Sequence, residues 1–205
     1  MKLTHLLFAS AAAMMVGQTG FAQSAGDMTL GLGLGWVEPK GDTGTLAGGL
    51  ETSVEGAGRP TVTFEYFIKD NIGIEVLGAL PFQHDISIAG LGVVGKTKHL
   101  PPVVSVQYHF PTQSKLTPFV GLGVNYTAFF DEEATGALAG SDLDLHDSWG
   151  LAGHIGLDYA ISEKAALRAD LRYIDIDSDV YLNGSKIGTV NIDPVVAGVS
   201  YVMKF

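Results

Sequence analysis

Hydrophobic and polar residues alternate along most of this chain. Eight segments repeat the alternation with a period of two residues, which is typical of β-strands. They cover residues 28–37, 60–68, 72–80, 103–110, 118–129, 148–160, 166–174 and 195–205. No convincing helical period follows residue 22. The pattern therefore predicts an all-β protein with an even number of strands.

The segments between the predicted strands alternate in length. Short turns lie at 69–71, 111–117 and 162–164, whereas the long connections, rich in Gly and Asp, lie at 38–59, 81–101, 130–147 and 177–193. Outer-membrane barrels have tight periplasmic turns and longer extracellular loops. The alternation predicts an eight-stranded antiparallel transmembrane β-barrel with short periplasmic turns and long extracellular loops.

The two faces of the predicted strands differ in side-chain size. One carries large apolar residues with aromatics near the strand ends, and the other is mostly Gly, Ala, Ser and Thr. Small residues suit the interior of a narrow barrel, and aromatics suit the membrane interfaces. A closed barrel crosses lipid with every backbone group paired. A soluble periplasmic lipid-binding barrel, whose apolar face would line a cavity, is the alternative.

The first 22 residues are typical of a secretory signal. Lys2 precedes the apolar stretch 6–17, and Gly20-Phe21-Ala22 offers small residues at the two positions read by a signal peptidase. Twelve apolar residues are too few to span a bilayer as a helix. We expect a cleaved signal peptide at 1–22, with Ala25 as the alternative site, and a barrel over 23–205.

Composition narrows the functional classes. The formal net charge of −10 disfavours nucleic acid as a partner. The absence of cysteine excludes thiol catalysis and Cys-ligated metal sites. Only 17% of residues are charged, against about 25% in ordinary soluble domains. This low value favours a surface that partly faces outer-membrane lipid.

Charged residues on the small-residue face are expected to project into one lumen. They are Glu65, Glu75, His109, Asp158, Arg168, Asp170, Arg172 and Lys204. Glu65 and Glu75 flank the 69–71 turn, so they should lie nearly opposite each other and require cations. We expect an ion-paired plug toward the periplasmic half. A proton relay or a substrate site is the alternative.

Other motifs give little support for catalysis or metal binding. The GLGVVG stretch at 90–95 lacks the strand and helix of a dinucleotide site. The DIDSD stretch at 175–179 begins like a calcium loop, but Lys186 occupies the position of the bidentate Glu, so at most a weak cation site is expected. The spacing of His84, His99 and His146 does not support a metal site. We predict no enzyme, no cofactor and no metal.

Several segments together resemble the OmpW family of small outer-membrane proteins. They are DNIGIEVL (70–77), PFQHDI (81–86), TKHLPP (97–102), PFVGLGVNYTAFFDE (118–132), DSWGLAGHIGLDY (147–159), YIDID (173–177), IDP (192–194) and the terminal Phe. The resemblance implies an eight-stranded barrel in the outer membrane of a Gram-negative-type cell. It also implies a narrow, largely apolar channel that opens outward and is closed toward the periplasm.

The resemblance further implies that small hydrophobic compounds pass through such a barrel and leave sideways through its wall. Candidates for the apolar path in this sequence are Leu77, Phe82, Leu100, Phe119 and Phe129. We therefore predict a monomeric outer-membrane barrel that passively admits small hydrophobic molecules. A structural or receptor-like barrel with a blocked lumen is the alternative.

The chain ends on a strand-like pattern. Tyr201, Met203 and Phe205 alternate with smaller residues and Lys204. A terminal aromatic preceded by apolar residues at alternate positions resembles the signal recognised by the barrel-insertion machinery. We expect these three residues to act as an assembly signal and the last strand to pair with the first.

Overall fold

The computed structural model describes residues 21–41, 43–46, 49–54 and 56–205. The predicted signal peptide lies outside these residues, except for Phe21 and Ala22. Across the described ranges, no helix is long and apolar enough to cross a bilayer.

Eight antiparallel strands close into a barrel, as the sequence predicts. They are β1 (Met28–Glu38), β4 (Ala57–Lys69), β5 (Ile72–Ala79), β8 (Val103–His109), β9 (Leu116–Ala134), β11 (Ser148–Ser162), β12 (Ala165–Ile174) and β15 (Val195–Lys204). Each pairs with its neighbours in this order, and β1 also pairs with β15. The Phe205 N–H donates to the Met28 carbonyl at 2.9 Å, so the last residue extends this seam.

The long connections differ from the predicted loops because they fold into further β-structure. They contain β2 (Thr45–Leu46), β3 (Leu50–Val54), β6 (Phe82–Ile88), β7 (Gly92–Leu100), β10 (Leu143–Leu145), β13 (Asp177–Leu182), β14 (Ser185–Asn191) and a 3-10 helix (Gly136–Leu138). These strands and the upper end of β9 extend the wall beyond the barrel. The turns at the opposite end are short, as predicted.

An apolar core stabilises this extension. Ile86, Val94, Leu145, Ile176 and Val180 are buried there in one cluster. The same cluster includes residues of the upper barrel: Val103, Phe129, Ala152 and Ile174. Burial of apolar surface drives the packing, so the extension and the upper lumen form one continuous apolar region.

The outer surface of the barrel is apolar. Leu122 is 73% exposed and Trp149 is 74% exposed, and each of the eight strands presents large hydrophobic residues in the same way. Polar side chains such as Gln107, Asn125 and Asp158 are instead buried inside. This arrangement is the reverse of a soluble protein and matches a barrel whose outer face contacts lipid. The predicted assignment of the two faces is confirmed.

Glycines on the inner face allow a close approach between neighbouring strands. A Cβ atom at Gly123 on β9 would lie 2.2 Å from the Val104 carbonyl oxygen and 2.6 Å from Ser105 Cβ. At Gly153, on the outer face of the adjacent strand β11, a Cβ atom would meet only the exposed Leu122 side chain, at 3.5 Å from Cδ2. The close packing of β9 against β8 thus requires glycine at position 123, whereas position 153 has room for a methyl group.

We expect Gly123→Ala to destabilise the barrel by about 1–3 kcal/mol, since an added methyl group in a tightly packed site forces the backbone to shift. Gly153→Ala is the matched control and should leave the stability nearly unchanged. The measurement is the urea dependence of unfolding in phospholipid vesicles. Equal midpoints for the two variants would contradict the packing described here.

Candidate functional site

Ionisable side chains from five strands converge inside the lower barrel. Glu65 on β4 and Glu75 on β5 are direct partners in the strand register, because the two strands are joined by a tight turn. Asp158 on β11 faces Arg168 on β12 in the same way. These four side chains, together with His109 and Arg172, are between 0% and 4% exposed. They form what we call the lumen base.

Arg168 is the centre of the lumen base. Its Nε and Nη2 donate to the two carboxylate oxygens of Asp158 at 2.8 and 3.0 Å. Its Nη1 donates to Glu75 Oε2 at 2.9 Å, and its Nη2 lies 3.6 Å from Glu65 Oε2. The fork-like geometry of a guanidinium suits such multiple pairing. One side chain therefore links carboxylates from three other strands.

Four further side chains complete the network. Arg172 Nη2 donates to Glu75 Oε1 at 2.7 Å. Gln107 Nε2 donates to both oxygens of Glu65, at 3.2 and 3.1 Å, and His109 Nε2 lies 2.9 Å from Glu65 Oε1. His154 Nε2 lies 2.7 Å from Gln107 Oε1. The hydrogen bonds thus extend across the barrel interior from β12 to β8 and β4.

Two of the predicted plug residues lie apart from the lumen base. Lys204 Nζ donates to the Ala22 carbonyl at 2.6 Å and lies 3.4 Å from Asp27 Oδ2, at the rim of the barrel that carries the short turns. It is the penultimate residue of the chain, so it is too far along β15 to reach Glu75. Asp170 is half-buried on the inner face, and no ion pair within 4.0 Å joins it to another described residue.

An enclosed apolar cavity lies directly above the lumen base. Leu77 and Ile174 line it, and each follows a base residue by two positions, Glu75 and Arg172 respectively. Side chains two residues apart in a strand share a face and lie about 6.6 Å apart. The cavity has a volume of about 30 Å³. Its other lining residues are Val37, Thr61, Ala79, Phe82, His99, Pro101, Ile176, Pro194 and Val196.

The predicted apolar path residues occupy different places. Leu77 and Phe82 line the cavity, and the Phe129 ring packs at 5.6 Å from the ring of His99 on the cavity wall. Phe119 instead packs against the lumen base, with the Arg168 guanidinium 4.4 Å from its ring centre. Leu100 lies on the face of β7 that carries Lys98, opposite to His99, because neighbouring strand residues point to opposite faces.

The structure brings three residues into the site that the sequence pattern does not predict there. Gln107 and His154 are uncharged members of the lumen base. His99 was considered only as a metal ligand, yet it lines the cavity. Strand alternation could have indicated Gln107 and His154 as lumen residues, because Gln107 shares a face with His109 and His154 shares a face with Asp158.

His99 is neutral in its surroundings. It lies in the sheet that extends beyond the membrane-spanning strands, and it is 1% exposed. Burial, followed by the nearby charge of His84, lowers the pKa of His99 to about 3. Its Nδ1 makes no hydrogen bond to any residue that the structure describes. The cavity wall thus carries an imidazole with one unsatisfied nitrogen.

An acidic group lies where the DIDSD motif begins. Carboxylate oxygens of Asp175, Asp177 and Asp193 lie within 4.8 Å of one another. Burial, followed by the charges of Asp177 and Asp193, raises the pKa of the Asp175 carboxyl. Asp193 already accepts hydrogen bonds from the Lys40 ammonium at 2.9 Å and the Ile176 N–H at 3.1 Å. The Lys40 ammonium thus offsets one of the three carboxylate charges, and the group remains acidic.

Comparison with known proteins agrees with this architecture. Outer membrane protein W of Vibrio cholerae serotype O1 is 40% identical over 198 residues, which cover 90% of this chain and 91% of that protein. The crystal structure of outer membrane protein OprG from Pseudomonas aeruginosa is similar with a TM-score of 0.81 and 34% identity, covering 91% of this chain and 99% of that one. The dibenzothiophene metabolism operon protein PahQ of Pseudomonas aeruginosa is 26% identical over 151 residues, 71% of this chain and 70% of that protein.

The closed barrel, its lipid-facing surface and these relatives define an outer-membrane β-barrel protein. The model of the OmpW family matches residues 24–205, and the chain belongs to this family. The end with the short turns is therefore periplasmic, and the extended sheet is extracellular.

We expect Arg168→Met to destabilise the barrel by about 3–5 kcal/mol, because it leaves buried carboxylates without their partner. Lys98→Met is the matched control, since Lys98 pairs with Asp131 on the exposed surface at 3.0 Å. The control should change the stability by less than about 1 kcal/mol. Urea unfolding in vesicles measures both.

The same variant tests whether the lumen base blocks the passage of ions through the barrel. Planar-bilayer recordings of Arg168→Met should show a larger ion conductance than the wild-type protein, whereas Lys98→Met should not. Unchanged conductance together with unchanged stability would contradict the role assigned to Arg168.

Proposed function

We propose that this chain forms a narrow channel through which small hydrophobic molecules enter the outer membrane passively from outside the cell. The observation that carries the proposal is the apolar cavity placed directly above a sealed, charged lumen base. The extracellular core is continuous with this cavity and offers an apolar route to it. Passage of this kind requires no catalytic group.

The lumen base directs such molecules away from the barrel axis. To cross it, an apolar molecule would have to separate Arg168 from Asp158 and Glu75. Leaving one member of a buried ion pair alone costs about 3–5 kcal/mol. The route straight to the periplasm is therefore unfavourable for an apolar molecule, and release into the lipid is the better path.

A break in the barrel wall beside the cavity supports sideways release. The ladder between β5 and β8 ends at the pair Leu77 and Val103. Beyond it, Pro101 and Pro102 carry no N–H group and cannot donate hydrogen bonds to β5. Ala79 and Pro101 line the cavity on either side of this break. We infer that molecules leave between β5 and β8.

The cavity is small for its proposed cargo. A volume of about 30 Å³ has room for one or two water-sized molecules, so the passage of anything larger requires side chains such as Leu77 and Phe82 to move.

PahQ, a relative named for dibenzothiophene metabolism, supports a hydrophobic cargo because dibenzothiophene is an apolar polycyclic compound. The small volume is the observation that favours the second candidate, a structural or receptor-like barrel with a blocked lumen.

We expect Ala79→Phe to reduce uptake several-fold, because the added ring fills the cavity at the break in the wall. Leu80→Phe is the matched control, because Leu80 is the next residue along the chain and its side chain is 59% exposed on the outer surface. The measurement is the entry rate of a fluorescent naphthalene derivative into cells whose outer membrane contains the protein. An inert eight-stranded barrel sets the baseline.

Two results would contradict the channel. Wild-type uptake equal to that of the inert barrel would favour the blocked-lumen candidate. Equal uptake by the wild-type protein and Ala79→Phe would show that molecules do not use this cavity.

The seam between β1 and β15 suggests how the barrel is recognised during assembly. Tyr201 and Phe205 are exposed toward lipid at the periplasmic end, and Met203 lies between them in the same row. We infer that this row is the signal bound by the barrel-insertion machinery, and that the inserted protein is a monomer.

We expect Phe205→Ala to lower the assembled fraction in cells several-fold, while the small amount that assembles remains functional. Tyr159→Ala is the matched control, because Tyr159 is also a lipid-facing aromatic, 47% exposed, but lies on β11. The assembled fraction is measured from the shift in gel mobility between unheated and heated samples. An equal loss in both variants would indicate a general need for aromatics instead of a terminal signal.

A further inference from the structure

His99 differs from the other residues that line the cavity. The remaining lining side chains are apolar except for Thr61. Three rings surround the imidazole: Phe82 at 5.6 Å, Phe129 at 5.6 Å and His84 at 4.8 Å between ring centres. A polar residue is thus held firmly in an apolar wall.

The unsatisfied Nδ1 of His99 calls for a physical explanation. Buried polar atoms in native proteins are nearly always hydrogen-bonded, and exceptions mark places with a role. A buried water molecule typically makes about three hydrogen bonds, and the side chains of this wall offer at most two polar partners, His99 and Thr61. A molecule with an apolar body and one polar group fits such surroundings better than water does.

We propose that the channel selects hydrophobic molecules that carry a single hydroxyl group, and that the hydroxyl binds Nδ1 of His99. This inference rests on the proposed function above and names the class of molecule that it admits. His99 is a specificity-determining residue in this view.

A hydroxyl group suits this nitrogen for a chemical reason. A neutral imidazole carries a proton on one nitrogen and a lone pair on the other. A hydroxyl both donates and accepts a hydrogen bond, so it satisfies Nδ1 in either tautomer. A second polar group on the same molecule would face apolar walls without a partner, which is unfavourable. Sites that hydrogen-bond a hydroxyl discriminate strongly against analogues that lack it.

Uptake of two matched fluorescent probes tests the proposal. 1-Naphthol and 1-methylnaphthalene share a ring system and differ by a hydroxyl in place of a methyl group. In cells with the wild-type protein, protein-dependent uptake of 1-naphthol should exceed that of 1-methylnaphthalene by roughly five- to tenfold, the effect of about one hydrogen bond. Cells with an inert barrel supply the background for each probe.

Variants assign the preference to His99. His99→Phe keeps a ring in the wall but removes the hydrogen-bonding nitrogen, so uptake of 1-naphthol should fall to the level of 1-methylnaphthalene. His99→Gln keeps a hydrogen-bonding group and should restore most of the preference. His146→Phe is the matched control: this histidine lies on the exposed extracellular surface and should leave the ratio unchanged.

The outcomes separate this inference from the proposed function. Uptake of both probes above background with no preference for 1-naphthol overturns the role of His99 and leaves the channel intact. A preference that survives in His99→Phe also overturns it. Uptake of neither probe above background overturns the channel itself, and the selectivity with it.

A spectroscopic measurement covers the case in which His99→Phe fails to fold. In wild-type protein embedded in lipid nanodiscs, 1-naphthol should shift the imidazole nitrogen resonance of His99, whereas 1-methylnaphthalene should shift it much less. Equal shifts with both probes, or no shift with 1-naphthol, would overturn the proposal.

Discussion

The absence of water in the membrane core determines most of this structure. Every backbone N–H and C=O in lipid needs an internal partner, so the eight strands must close into a barrel. Closure with so few strands leaves a narrow interior, which explains why the inner face consists of small residues such as Gly123 and Gly121. Any large side chain placed inside fills the lumen. The charged residues of the lumen base therefore occupy the lower interior, where they are buried and paired with one another.

The site combines two environments within one barrel. Below, Arg168 and Arg172 hold buried carboxylates in a fixed network. Above it, two residues further along β5 and β12, Leu77 and Ile174 begin an apolar region. This region continues into the extracellular sheet. The upper region offers few polar partners, chiefly His99 and Thr61, whereas the lower region is filled by paired charges. The change of environment occurs where the β5–β8 ladder ends.

The strands and their faces could be predicted from sequence because both follow from a two-residue period. Depth within the barrel could not, since it depends on how the strands are staggered. Lys204 shares a face with the lumen residues but lies at the rim, and Phe119 lies at the depth of the lumen base instead of the cavity. Apolar character alone favours Leu100 as a cavity residue, whereas it is the polar His99 beside it that faces the cavity. The extracellular strands were missed because polar residues such as His84 are buried within them.

The source of the two arginines has a consequence for biogenesis. Both come from β12, the seventh of the eight barrel strands, while their carboxylate partners come from β4, β5 and β11. A partly formed barrel that lacks β12 holds Glu65, Glu75 and Asp158 with neither arginine to neutralise them. Charge repulsion among these groups opposes early closure. The ion pairs of the lumen base can therefore form only after β12 has joined the barrel, which makes them a late product of folding.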